Sequence, residues 1–231
     1  MKLKRNEIVI WRMWKFQRFL ILNMIFALGL IMSISFINLG LGLKIIQQQM
    51  VQYENGFFHL IGIVQNNENK TIDDIYAIGT LVGIDNSTIA NYSNPVEVHP
   101  LNPSEMTPYD ITIYDKDQNE QIKNHSIVFT FNSSETENIK NLDIHSVNSR
   151  SDLLGFYYIS GRITNEMDVI SNNTLVVATV SDKDQNISGV WKAQAEPYNI
   201  PPSATASFTI PITDNTQGLR ITNYTLFITT S

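Results

Sequence analysis

The sequence predicts a mostly β protein that follows one membrane-spanning helix. Residues 19–43 form an apolar run of 25 residues without a charge. After about residue 55, apolar and β-branched side chains alternate in short runs, and loops rich in Asn, Asp, Ser and Pro separate these runs. A pattern that begins at Gly56 returns 99 residues later. These observations indicate one helix and a duplicated β domain.

The apolar run at residues 19–43 is long enough to cross a lipid bilayer, because roughly 20 helical residues span its hydrocarbon core. Residues 1–18 carry six basic side chains and one acidic one, whereas Lys44 alone follows the run directly. Trp11 and Trp14 lie among these cations, as aromatic residues do at headgroup level. The positive-inside rule predicts a single-pass protein of the cell membrane, with residues 1–18 cytoplasmic and the C-terminal domains extracytoplasmic.

A cleaved signal peptide is the alternative to a retained membrane anchor. Ser33 and Ser35 would then form the small-x-small cleavage site. The basic head is long for a signal peptide, and apolar residues continue past this site to Leu43, so a retained anchor is favoured. Gly29 and Ser33 are four residues apart and could seat a partner helix, although small residues are also ordinary in a membrane span.

The remainder of the chain is acidic and has no cysteine. From residue 45 onward there are nine basic and 21 acidic residues, a balance that argues against nucleic acid as a partner. The absence of cysteine excludes disulfides and thiolate metal sites. Because secreted eukaryotic domains of this size often contain a disulfide, a prokaryotic cell surface is favoured.

The residues after the span contain two copies of one unit. A shift of 99 residues aligns GFFHLIGIVQN at residues 56–66 with GFYYISGRITN at residues 155–165 without a gap. The same shift places the Pro-Ser pair at 103–104 on the pair at 202–203. One constant offset over so many positions indicates a duplication. The predicted segments are a helical stalk at 44–53, a first domain at 54–140, a linker at 141–151 and a second domain at 152–231.

Each copy is predicted to be an immunoglobulin-like β-sandwich. A domain of 80 to 90 residues with six or seven short strands and frequent turn signals fits this architecture most economically. Phe57 and Phe156 occupy the same place in the two copies and are predicted to be buried aromatic anchors of the first strand. The polar linker predicts only a modest contact between the domains, each with its own core.

The order of features in each copy resembles the FxLYD-type immunoglobulin-like repeats of bacterial and archaeal surface proteins. An aromatic start is followed by hydrophobic-x-Gly-x-hydrophobic-x-Asn, a central strand, and a Pro-Ser turn that leads into an aromatic strand. The motif that names these repeats is replaced by GTLVG at residues 79–83 and by ATVSD at residues 178–182. The resemblance covers residues 54–231 and implies a structural or binding module of the cell surface, with no active site.

No residue pattern in the sequence points to catalysis, and no catalytic, cofactor-binding or metal-binding residue is predicted. The four histidines, His59, His99, His125 and His145, have no neighbour at a spacing typical of a metal or catalytic pair.

The pentapeptide Asp-Lys-Asp-Gln-Asn occurs twice, from Asp115 and from Asp182, and resembles the start of a calcium loop. Neither copy has the Gly and Glu that such a loop requires at positions 6 and 12. Asp and Asn are also favoured in turns between strands, which is the preferred interpretation.

Candidate N-glycosylation sites are the strongest surface signal in the sequence. All lie beyond the predicted span, as expected for a glycoprotein with an external domain, and without cysteine they favour an archaeal envelope. The eight Asn-x-Ser/Thr sequons begin at Asn69, Asn86, Asn91, Asn124, Asn132, Asn172, Asn186 and Asn223.

The sequence therefore predicts a membrane-anchored, extracytoplasmic binding or scaffolding protein without catalytic activity or cofactor. Its predicted partners are the lipid bilayer, through residues 19–43, and proteins of the membrane or cell envelope. No nucleic acid or small-molecule substrate is indicated. The alternative is an accessory single-span subunit of a larger membrane complex, whose β-sandwiches cap the exterior face. An exported enzyme or metal-site protein is a third, less favoured hypothesis.

Overall fold

The computed structural model describes residues 42–115, 121–135 and 141–230, and these residues are mostly β. The β class predicted from the sequence is thus confirmed for this part of the chain. Residues 1–18 and all but the last two residues of the predicted span at 19–43 lie outside the described residues. No helix of the described residues has the length and apolar character needed to cross a membrane.

The described residues form two units of six strands each. A one-turn helix, α1 (Asn215–Gly218), precedes the last strand. The strands of the first unit are β1 (Leu43–Gln52), β2 (Phe58–Asn66), β3 (Thr71–Gly83), β4 (Thr88–Pro95), β5 (Met106–Ile113) and β6 (Ile122–Ser134). Those of the second unit are β7 (Leu142–Ser151), β8 (Tyr157–Asn165), β9 (Leu175–Ser181), β10 (Ile187–Gln194), β11 (Thr205–Ile212) and β12 (Asn223–Thr229).

Each unit consists of two antiparallel sheets that enclose an apolar core. In the first unit, sheet I has the order β1-β2-β5 and sheet II the order β4-β3-β6. In the second unit, sheet III has the order β7-β8-β11 and sheet IV the order β10-β9-β12. The side chains of Leu60 and Ile111 in sheet I lie against Gly79 of sheet II, so the sheets pack face to face.

The duplication is visible in the strand bounds. Strands β7, β8, β10 and β11 begin and end 99 residues after β1, β2, β4 and β5. Turn residues follow the same offset, since Asn86 and Gln185 both have positive φ, as do Ser104 and Ser203. The repeated unit thus includes a first strand that the sequence analysis placed outside both domains.

Two segments have a different structure from the one predicted. The helical stalk at 44–53 is wrong, because β1 pairs with β2 along its whole length. The linker at 141–151 is also wrong, because β7 pairs with β8 in the equivalent position. Both are edge strands of their sheets, and an edge strand with one solvated face needs few apolar residues. In β7 only Leu142 and Ile144 pack on the core, which left the segment polar enough to read as a linker.

The glycine of the repeated motif makes room for an aromatic ring on the neighbouring strand. Gly62 lies opposite Tyr109, and Gly161 lies opposite Phe208. A Cβ atom at Gly62 would collide with the Tyr109 ring, and one at Gly161 would lie 2.7 Å from the Phe208 ring. Glycine in these strands therefore serves close packing rather than a turn.

The asparagine of the motif ties a loop to the core of each unit. The Asn66 side chain is 1% exposed, and its amide donates hydrogen bonds to the carbonyls of Lys70 and Leu101 at 2.8 and 3.0 Å. Its Oδ1 accepts a hydrogen bond from the Glu68 amide at 2.9 Å. The second unit repeats all three bonds: Asn165 donates to the carbonyls of Val169 and Ile200 and accepts from the Met167 amide.

The predicted aromatic anchors are not the core aromatics. Phe57 and Phe156 are only half-buried, and each precedes the strand it was expected to fasten. The Phe57 ring instead meets the edge of Tyr114, with 5.9 Å between ring centroids. The aromatic rings buried in the strands of the two cores are instead Tyr109 and Phe208, which are 0% and 3% exposed.

Candidate functional site

A broad apolar contact joins the two β units, which belong to one compact body. Val177, Ile187 and Val190 of sheet IV are part of the core cluster that fills the first unit. The central strand β9 is buried on both faces, one turned to its own core and the other to sheet I. The expectation of only a modest contact is therefore wrong, whereas the second unit does have a core of its own.

An aromatic stack marks the centre of this junction. Tyr53, in the turn between β1 and β2, is 8% exposed and stacks on His59 with 3.8 Å between ring centroids. It also lies parallel to the Trp191 ring of β10, at 5.6 Å. The Tyr53 hydroxyl accepts a hydrogen bond from the Val190 amide at 3.1 Å. One side chain of the first unit thus binds both the backbone and a ring of the second.

His59 of the stack is paired with a partly buried aspartate. His59 Nδ1 is 2.8 Å from Asp110 Oδ1 and 3.4 Å from the Thr112 hydroxyl. His59 Nε2 is buried and forms no hydrogen bond with the described residues. Nucleophilic catalysis by such a pair requires a hydroxyl or thiol at Nε2. The pair is therefore not arranged as a hydrolase triad within the part of the chain that is described.

Burial also governs the protonation of the stack. It raises the pKa of the Tyr53 hydroxyl above its usual value, and the nearby charges of Asp110 and Asp214 add to this shift. The phenol therefore remains neutral at physiological pH, and the hydrogen bond from the Val190 amide opposes the shift only in part.

Polar groups close the rim of the junction by reciprocal bonds. Asp214 caps α1, with Oδ1 accepting from the Gln217 amide at 3.0 Å, while its Oδ2 accepts from the Glu54 amide at 2.7 Å. Glu54 Oε2 in turn accepts from the Asn215 amide at 3.3 Å. Trp191 Nε1 donates to Gln217 Oε1 at 3.0 Å, which holds the indole in the stack. The helix α1 thus orients both carboxylate and indole.

An open cleft of about 280 Å³ lies at this rim. Several of its polar atoms form hydrogen bonds between the units, so the cleft belongs to the contact between them and is not a preformed ligand site. Its lining residues are Tyr53, Glu54, Asn55, Trp191, Thr213 and Asp214.

The other histidines form local contacts. His99 Nδ1 lies 3.0 Å from Asp73 Oδ1 on the surface, and His145 contacts the hydroxyls of Ser146 and Thr164. Partial burial lowers the pKa of His125. Within the described residues, no group of three His, Asp, Glu or Cys side chains is arranged to hold a metal ion.

The two pentapeptides that resemble calcium loops differ in what the structure describes. After Asp115, residues 116–120 lie outside the described residues. Asp182 begins the turn between β9 and β10, and its Oδ1 accepts hydrogen bonds from the amides of Asp184 and Asn186 at 2.9 and 3.0 Å. This is the turn role that Asp favours.

Every candidate glycosylation asparagine is exposed. The hydroxyl residue of the sequon, by contrast, is buried at two sites: Thr71, which follows Asn69, and Thr174, which follows Asn172, are 6% and 0% exposed. In strands or next to them lie Asn91, Asn124, Asn132, Asn186 and Asn223, whereas Asn69, Asn86 and Asn172 lie in loops.

Sequence reasoning missed the junction. Tyr53 was placed in the helical stalk, and Trp191 was not singled out. A usable signal was present, because Trp191 is the only tryptophan after the predicted span and falls on Tyr92 in the repeat.

Comparison with known proteins does not assign a family. No family model and no curated protein matches the chain. The crystal structure of red sea bream transglutaminase is similar at 9% identity and a TM-score of 0.28, over 81% of this chain and 30% of that one. A likeness this low carries no argument about fold or activity. The resemblance to FxLYD-type repeats stays a prediction.

Proposed function

We propose that this protein is a non-enzymatic binding or scaffolding protein of the cell surface. In this proposal, residues 19–43 anchor it in the membrane, and two immunoglobulin-like β-sandwiches project outside the cytoplasm. The observation that carries the proposal is the buried junction between the units. A scaffold must hold its binding surfaces at fixed positions, and the Tyr53, His59 and Trp191 stack joins the two units rigidly.

The strand order supports the immunoglobulin-like assignment. In that fold, strands A, B and E share one sheet, and strands C and F belong to the other. Strands β1, β2 and β5 occupy the first set of positions, and β3 and β6 occupy the second. The second unit has the same arrangement. Such sandwiches serve many functions, so the proposed role rests on the junction and not on the fold.

The chemistry of the junction also supports a scaffold over an enzyme. Its carboxylates and amides bind each other across the units, as Asp214 does with the Glu54 amide at 2.7 Å. A salt bridge of 2.8 Å between Lys192 and Glu97 adds a polar contact at the margin. Groups used in this way hold two bodies together and are not free to act on a substrate.

Isolation of the full chain from its native membrane in mild detergent tests this proposal. A scaffold should bring envelope proteins with it, in amounts close to its own. Trp191→Ala should weaken this association because it removes a ring of the junction, whereas Tyr92→Ala changes the equivalent position of the first unit and should not. A stoichiometric set of integral membrane subunits would instead favour the accessory-subunit alternative.

The same cells test the topology. Protease added to intact cells should remove the β units, because residues 1–18 are expected on the cytoplasmic side. Cleavage only after lysis would refute the extracytoplasmic placement, and a mature protein that begins at Phe36 would refute the retained anchor.

A further inference from the structure

Among the described residues, the outer edge of strand β6 is unpaired, and from Asn124 to Thr130 it has none of the usual protection. It pairs with β3 on one side only, and no described residue pairs with its other side. The strand is 13 residues long and contains no proline, and its one charged residue, Lys123, lies at a register shift near its start. Natural proteins normally shield such an edge with charges, proline, bulges or a short strand. The unshielded stretch from Asn124 to Thr130 is a template on which another strand can pair.

Among the described residues, Val128, Phe129 and Phe131 have no neighbouring strand on the side away from β3. Phe129 and Phe131 point to the core of the first unit but remain half-buried, and the Phe129 ring meets Tyr109 edge-on at 5.4 Å. On the outer face Val128 is 56% exposed. A further strand beside β6 would cover the flanks of these apolar side chains.

We propose that the missing neighbour is β6 of a second copy of this chain, paired antiparallel about a two-fold axis at Val128. The sequence around Val128 is self-complementary in this register. On the outer face, Asn124 would lie opposite Asn132 and Ser126 opposite Thr130, while Val128 would face its own copy.

The inner face of the pair is equally compatible. Ile127 would lie opposite Phe129, a β-branched and aromatic pair of the kind that stabilises adjacent strands. His125 would lie opposite Phe131. No like charges face each other in this register. Because the axis is two-fold, each of these side-chain contacts away from the axis occurs twice in the dimer. The two copies would then share one continuous six-stranded sheet, with the order β4-β3-β6-β6-β3-β4.

The second unit is less suited to this pairing. Its equivalent strand β12 is only seven residues long, and Phe227 on it packs against the core of the first unit. The proposal therefore assigns the interface to β6 alone.

Single-cysteine variants of the full chain in detergent or lipid nanodiscs test this register. The chain has no native cysteine, so each variant has one thiol. Val128→Cys should form a disulfide-linked dimer under mild oxidation, because facing residues of paired strands lie within disulfide reach. Ser126→Cys alone should not, because its counterpart would lie about 13 Å away along the strand. Ser126→Cys mixed with Thr130→Cys should cross-link again.

A non-covalent measurement keeps the test independent of oxidation. Val128→Lys places like charges opposite each other at an exposed position, so the dimer fraction in sedimentation should fall several-fold while the circular dichroism spectrum is retained. Thr80→Lys, on the outer face of β3, should leave the dimer intact.

Several outcomes would overturn the proposal. These are a monomeric full chain, equal cross-linking by all three single-cysteine variants, or a Val128→Cys adduct formed only with a different polypeptide in the native membrane. A glycan on Asn124 or Asn132 of the native protein would also overturn it, because these two asparagines face each other in the pair. The other six sequons do not bear on this interface.

Discussion

At the scale of single residues, buried polar groups organise each unit. The side chains of Asn66 and Asn165 are 1% and 0% exposed, and each forms hydrogen bonds with a loop amide and two carbonyls. Burying such groups unpaired costs more than the hydrogen bond contributes when it is made. This explains why the duplication repeats an asparagine at the end of an apolar strand.

Removal of one of these asparagines should destabilise its unit. Asn66→Ala removes one donor from each of the carbonyls of Lys70 and Leu101 and the acceptor of the Glu68 amide, and we expect the free energy of unfolding to fall by about 1 to 3 kcal/mol. Urea denaturation of residues 42–231 measures this. Asn67→Ala, at an exposed side chain next to it, is the control. Equal effects from both substitutions would contradict the structural role of Asn66.

The buried Tyr109 ring makes stability depend on alkaline pH. Burial raises the pKa of its hydroxyl above the usual value of about 10. The stability that the neutral Tyr109 hydroxyl contributes is fully present below about pH 10. Above that pH the unfolded chain loses the proton while the folded protein keeps it, so stability falls by up to about 1.4 kcal/mol per pH unit.

Tyr109→Phe should therefore reduce the alkaline loss of stability, and Phe208 shows that the fold accepts phenylalanine at the equivalent position. Urea denaturation between pH 9 and pH 11 measures the slope. Tyr114→Phe, at a ring that is 65% exposed, is the control. An unchanged slope in Tyr109→Phe would mean that this ring ionises freely in the folded state.

At the scale of elements, the first strand of each unit is the feature least evident from sequence. Strands β1 and β7 carry mostly polar residues because they lie at a sheet edge. Their few inward side chains nevertheless close the core. Ile144 lies opposite Ile163 and packs on the second core, whereas Val147 on the same strand is 37% exposed.

Truncation of Ile144 should thus destabilise the protein more than truncation of a residue in a solvated linker would. Because Ile144 is half-buried, we expect Ile144→Ala to lower the free energy of unfolding by about 1 to 2 kcal/mol, less than truncation of a fully buried isoleucine would. Val147→Ala is the matched control and should cost less. Thermal and urea unfolding of the two variants provide the comparison. If Ile144→Ala left the free energy of unfolding unchanged, residues 141–151 would behave as a linker.

At the scale of the whole molecule, the junction makes the two units interdependent. Sheet IV has apolar side chains on both faces, so separation of the units would expose Val177, Ile187 and Val190 to water. Burying an aliphatic side chain contributes about 1.5 to 3 kcal/mol, which is large beside the total stability of a small domain. The molecule should consequently unfold as one body.

Calorimetry of residues 42–231 should show a single transition. Tyr53→Ala removes the central ring of the junction and leaves the Val190 amide without its acceptor, so two transitions should appear. Tyr114→Ala, at an exposed ring, should retain one. Two transitions in the unmodified protein would show that the junction is too weak to couple the units.

The β class, the 99-residue repeat and the residues of its motif follow from the sequence alone, because alternation and self-similarity are local patterns. The membrane span at 19–43 is likewise predicted from sequence. Three features became evident only from the folded chain: β1 and β7 complete the sheets, Tyr109 and Phe208 are the core rings, and Tyr53 joins the units. The physical reason is that burial at these places depends on partners distant in the chain, and no local pattern specifies which strand or unit will supply them.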